Sequence, residues 1–141
     1  MTSHTILRVV VKLLVPLILL FALYVQFHGD YGPGGGFQAG VIFGAGFILY
    51  GLIFGLAAVR RVVRRKMIEF LVALGVLIYA GTGVATMLWG GNFLEYAAFN
   101  EHHPAHGQHI GILIIELGVG MTVAAVIISI FFTFAGRGRA R

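Results

Sequence analysis

Leu13 through Phe27 contains no charged residue, and neither does Phe37 through Val59 or Phe70 through Trp89. A fourth run, Ile110 through Phe134, is interrupted only by Glu116. Each approaches the ~20 residues that a helix needs to cross ~30 Å of hydrocarbon. The pattern predicts an all-α integral membrane protein with four transmembrane helices, at about 9–27, 37–59, 67–89 and 110–134, in one membrane domain over residues 1–141. The first helix borrows Val9 to Val11 while Lys12 snorkels to the interface. It reads as a retained helix rather than a cleaved signal peptide. The apolar run is too long for a signal core, and no small-x-small site follows Phe27.

Composition agrees with this. Of 141 residues, 59% are hydrophobic and 11% charged, more apolar surface than one small soluble domain can hide. Without cysteine there can be neither disulfides nor thiolate metal sites. The net charge of +5 matters through its placement. Arg8 and Lys12 precede helix one, Arg60, Arg61, Arg64, Arg65 and Lys66 fall between the second and third, and Arg137, Arg139 and Arg141 follow the fourth. In a four-crossing chain all of them lie on one side. By the positive-inside rule both termini and the 60–66 loop are cytoplasmic, and segments 28–36 and 90–109 are external. The bias excludes dual topology. It also makes the basic residues topology signals and lipid-headgroup contacts rather than a nucleic-acid surface.

The stretch "HGDYGPGGGFQAG", residues 28 to 40, places six glycines and a proline between the first two spans. A nucleotide site is excluded: no Lys-Ser/Thr pair follows the glycines, and no strand precedes them. Gly29, Gly32 and Pro33 suit a turn. The glycines continue beyond it, because Gly36, Gly40, Gly44, Gly51 and Gly55 occupy an arc of roughly 100° on the second helix. Such a groove lets another backbone approach closely, which is how helices associate in lipid. Gly111, Gly118, Thr122, Ala125 and Ser129 form a weaker counterpart on helix four. The partner of the glycine face is either this chain or another protein.

Glu116 is the one acid well inside an apolar run, ~9 Å from the external end of a helix starting at Ile110. A charge at that depth costs several kcal/mol unless it is neutralised, paired or beside water. Glu116 shares a face with His109, Gly120, Val123 and Ile127, away from the Gly111/Gly118/Thr122 face. Two contact faces predict that one meets this chain's own bundle and the other a partner. Glu116 is therefore either a structural acid or, with His109, part of a proton or cation route opening externally. The loop "EHHPAHGQH" holds Glu101, His102, His103, His106 and His109. The spacing of His103, His106 and His109 allows a metal site, but Pro104 and Gly107 argue against a regular helix there, which favours a solvated, pH-responsive loop. Glu69 is placed to pair with Arg65, and Pro16 to bend or loosen helix one. No cofactor motif, haem ligand pair or catalytic set is present, so no cofactor is expected and a stand-alone enzyme is disfavoured.

The run "PGGGFQAG" (Pro33, Gly34, Gly35, Gly36, Phe37 through Gly40) between helices one and two resembles the signature of the B subunit of the multisubunit monovalent cation/proton antiporters, the Mrp or Mnh (MnhB/MrpB) family. The fourth helix, "GILIIELGVGMTV" from Gly111 to Val123, is similar to that family's last helix, in which an acidic residue, Asp in many members, is followed by glycine. Glu116 stands at that position. The His-rich loop has no counterpart in the pattern. The resemblance, which covers nearly the whole chain, implies a multi-pass accessory subunit in the cell membrane. It would assemble with A, C, D, E, F and G type subunits into a complex exchanging Na+ (or K+ or Li+) for H+, the large A and D subunits doing the pumping. Two other readings remain open: the equivalent subunit of a hydrogenase-type respiratory complex, and a small homo-oligomeric proton-coupled transporter using Glu116.

Overall fold

The computed structural model describes residues 3–29, 32–100 and 102–137, with the side chains of Ser3 and His4 excepted. The described chain is helical: α1 (Ser3–Phe27), α2 (Gly36–Phe54), α3 (Leu56–Val62), α4 (Arg65–Leu88) and α5 (Pro104–Arg137), with one 3-10 turn at Tyr96–Phe99. Helices α1, α2, α4 and α5 are long and apolar enough to cross a membrane. α1 stays helical through Pro16.

Two boundaries differ from the sequence pattern. The span expected at 37–59 is two helices, because Gly55 adopts φ 88° and ψ 156°, a region essentially reserved for glycine. Gly55 therefore ends α2 instead of extending its packing face, and a Cβ added there would touch nothing within 4 Å. The short α3 that follows carries Arg60 and Arg61 in its last turn, where cations suit the helix dipole. At the other boundary, α5 begins at Pro104 and not near Ile110. Proline costs nothing at a first helical position, whose N–H has no intrahelical partner. Just before it, the Asn100 Oδ1 accepts a hydrogen bond from the His103 N–H at 3.0 Å. Gly107 serves close approach, since a Cβ there would lie 2.7 Å from the Tyr96 carbonyl oxygen of the 3-10 turn.

α5 is the centre of the bundle. α4 packs on one side of it and α2 on the other, while α1 packs mainly on α2. α2 and α5 run in the same direction with a constant register. Gly36 meets Glu116, Gly40 meets Gly120, Gly44 meets Ala124 and Gly51 meets Phe131, each pair eighty positions apart. The glycine arc of α2 thus receives this chain's own α5, its backbone at Gly36 and Gly40 and the Ile127 and Phe131 side chains at Gly44 and Gly51. The α4–α5 seam is antiparallel and also built on small residues: a Cβ on Gly118 would lie 2.9 Å from the Gly75 carbonyl, and one on Gly75 would strike the Thr122 hydroxyl. The Thr122 hydroxyl donates to the Gly118 carbonyl at 2.9 Å, so its polarity is satisfied within the helix.

Large apolar side chains are concentrated at the basic end, where Leu56, Val59, Val63, Ile68, Ala125, Ile128 and Phe132 form the buried core. Outside, Leu13, Leu20, Leu77 and Phe134 are between 64% and 69% exposed. An apolar exterior around glycine-rich seams is the arrangement that lipid solvent favours, because burial of apolar side chains gains nothing there and close backbone packing does. Arg65 and Glu69 form the expected exposed i,i+4 pair at 2.9 Å.

Candidate functional site

The Glu116 carboxylate lies in a cradle of glycine backbone. A Cβ built on Gly29 would lie 2.7 Å from Oε2, and one built on Gly35 would lie 2.7 Å from Oε1. One on Gly36 would strike the Glu116 carbonyl oxygen and come within 2.7 Å of its carbon. Glycine is required at Gly35 twice over: beyond the steric limit, its φ of 127° with ψ of −179° is a conformation other residues scarcely enter. The many glycines between the first two spans therefore bring the chain against this one side chain.

Electrostatics follow from the same geometry. Gly35 is the N-cap of α2, and no α2 side chain caps that end. The first N–H groups of a helix lack intrahelical partners and carry the positive end of its dipole. A carboxylate held against the N-cap is stabilised by them by roughly 0.3–2 kcal/mol. That offsets part of the cost of an acid at this depth in the membrane.

One helical turn further along α5, Gly120 continues the seam. A Cβ there would meet the Gln26 Oε1 and lie 3.0 Å from the Gly36 carbonyl oxygen. Gln26 is only 5% exposed, and its Nε2 is buried without a hydrogen-bond partner among the described residues. A buried carboxamide in this state costs about 1–3 kcal/mol. Sequence reading passed over Gln26, although it is the one carboxamide in the first apolar run.

The expectation that the Glu116 face meets a partner protein is corrected by this packing. Glu116, Gly120, Val123 and Ile127 all lie against α2, while Gly118 and Thr122 lie against α4, so both faces of α5 are used inside the chain. Glycine is small enough to let both neighbours reach the α5 backbone, while Leu113, Leu117, Val126 and Ile130 remain exposed elsewhere on the helix.

The remaining sequence candidates are spread out. His109 is half-buried on α5, seven residues or ~10 Å before Glu116. His28 stacks on Tyr24 with ring centroids 5.0 Å apart. His102, His103 and His106 are exposed, and His103 and His106 flank the first turn of α5. Among the described residues, no three His, Asp or Glu side chains form a group able to hold a metal. Asp30, Tyr31 and Glu101 lie outside the described residues. Within the glycine motif, Pro33 and Phe37 face outward, Gly35, Gly36 and Gly40 are buried, and a Cβ on Gly34 would lie 3.2 Å from the Val25 carbonyl. Gly111 packs under the Tyr96 ring, and burial, with Tyr79 adding to it, pushes the Tyr96 phenol above its ordinary pKa.

Residues 6–129 match a family described as a domain related to the MnhB subunit of Na+/H+ antiporter. The chain is 37% identical over 138 residues to a Staphylococcus haemolyticus (strain JCSC1435) protein named as antiporter subunit mnhB2, covering 95% of this chain and 96% of that one. To the protein named likewise in Staphylococcus aureus (strain Newman), it is 36% identical over the same proportions of both chains.

Proposed function

Because the chain belongs to the MnhB family of Na+/H+ antiporter-related subunits, we propose that it is an accessory subunit of a multisubunit antiporter exchanging Na+, K+ or Li+ for H+. In this reading it sits in the cell membrane with both termini and the 60–66 loop cytoplasmic, beside subunits of A, C, D, E, F and G type. It has no catalytic site of its own. Its contribution is a rigid α2–α5 unit that holds Glu116, below His109, on a polar route opening externally.

The observation that carries the Glu116 role is the cradle. Three glycines, Gly29, Gly35 and Gly36, bring backbone within contact of one acid at a helix N-terminus. Packing alone would be served by an apolar residue of the same length. Gln26, one turn further inward, supplies the next polar group in line. A carboxylate held against a helix N-terminus, with a second polar side chain one turn further along the same helix, is placed to meet a proton or a cation. That is the property a transfer group needs.

The test is Glu116→Gln beside Glu116→Asp, measured as cation-dependent proton movement in everted membrane vesicles after assembly has been verified. Gln keeps size and hydrogen bonding but cannot carry a proton or charge. The reading expects Gln to cut exchange sharply or displace its pH profile, and Asp to retain much of it. An assembled Gln variant with full activity from neutral to alkaline pH would reduce Glu116 to packing.

A further inference from the structure

An apolar cavity of about 280 Å³ lies between α1 and α4, with α2 and α5 as its floor. α1 and α4 line opposite walls and do not pack on each other to any extent comparable with the other seams. Along α5 the lining runs from Leu117 to Ile128, or about 16 Å at ~1.5 Å per residue. Leu23, Leu117 and Met67 on its rim are exposed, so the slot opens sideways towards hydrocarbon. Gln26, the one polar side chain in the lining, closes the end nearest Glu116. Val63 and Met67 form the other end, beside Arg64 and Lys66.

We propose that this slot binds one acyl chain of an anionic phospholipid whose headgroup rests on Arg64 and Lys66. Three observations select that occupant. The lining is apolar over its whole length, with Gln26 its single polar side chain, which suits an extended hydrocarbon chain. The length of the slot equals about half of ~30 Å of hydrocarbon, the depth of a single leaflet, and it begins at the basic end. Finally, Arg64 and Lys66 make no ion pair among the described residues, whereas Arg65 is engaged by Glu69, so two cations remain at the mouth for a phosphate. Each basic group near such a surface favours an anionic headgroup. Glu116 is not among the residues lining the slot, so the proposal does not rest on the Glu116 reading.

The test uses the assembled complex, incubated in detergent with phosphatidylglycerol bearing a photoactivatable diazirine on one acyl chain, then irradiated and mapped by peptide mass spectrometry. Adducts are expected on Phe43, Leu71 and Met121, suppressed by excess unlabelled phosphatidylglycerol and far less by phosphatidylcholine. Ala124→Phe, which fills the slot, should abolish them. Arg64→Gln with Lys66→Gln leaves the slot intact and should lower the preference for the anionic lipid by roughly tenfold, so the proposal stays testable if the Phe variant does not assemble. Labelling equal for both lipids, or unchanged by the charge variants, would overturn it. So would a photoreactive amino acid at Met121 that captures a protein subunit in place of lipid.

Discussion

The Glu116 carboxylate and the Gly35 α-carbon occupy adjoining space: a single added methyl group on Gly35 would lie 2.7 Å from Oε1. Gly35 caps α2, while Glu116 is the thirteenth residue of α5, so this contact ties the start of one membrane helix to the interior of another. It also explains why the junction before α2 needs glycines in succession, when a turn alone would need one or two.

The α2–α5 seam should tolerate almost no added volume. Gly36→Ala drives a methyl into the Glu116 backbone, which cannot move without displacing α5. We expect a loss of about 1–3 kcal/mol in the stability of the packed unit. Gly40→Leu and Gly44→Leu should prevent assembly, visible as loss of the complex or of the subunit on blue-native electrophoresis. Wild-type assembly with both Leu substitutions would contradict the constant register between the helices.

Gly55 tests a different property. Nothing lies within 4 Å of a Cβ there, so a substitution costs conformational strain and not collision. Gly55→Ala and Gly55→Val should each destabilise by about 1–3 kcal/mol, read as lower thermal stability of the purified protein. If Ala proves neutral while Gly36→Ala does not, the break between α2 and α3 can relax to a helical conformation at that residue.

Gln26→Leu separates structure from transport. If the amide is only a buried liability, Leu removes an unsatisfied donor and the protein becomes more stable with exchange unchanged. If Gln26 continues the polar line from Glu116, exchange in vesicles falls several-fold while assembly is retained. The second outcome is the one expected from the proposed route.

Replacing His102, His103 and His106 together by Ala should leave exchange largely intact at neutral pH, because all three are exposed at the start of α5. Purified wild-type protein should contain no stoichiometric zinc by elemental analysis. A bound zinc that disappears in the variant would assign these histidines a metal after all.

The four spans were legible in the sequence because a membrane helix must satisfy its backbone within its own segment and bury it in an apolar sheath. Both are properties of ~20 contiguous residues. The glycine arc of α2 and the singularity of Glu116 were legible for the same local reason: one is a periodicity, the other a lone charge in an apolar run. Local cues also misled. Pro104 and Gly107 read as helix breakers, yet proline is at home in a first turn and Gly107 is there to admit Tyr96. Gly55 continued the spacing of a packing face and instead ends the helix. Which faces meet was decided only in three dimensions. In lipid an apolar face carries no mark of being covered or exposed, so periodicity could not tell whether the Glu116 stripe lay against α2 or against another protein. The tertiary structure decided it through the eighty-residue register of α2 and α5. The burial of Gln26 and the slot between α1 and α4 arise from the same cause: both depend on where four helices stop short of one another, which no single helix records.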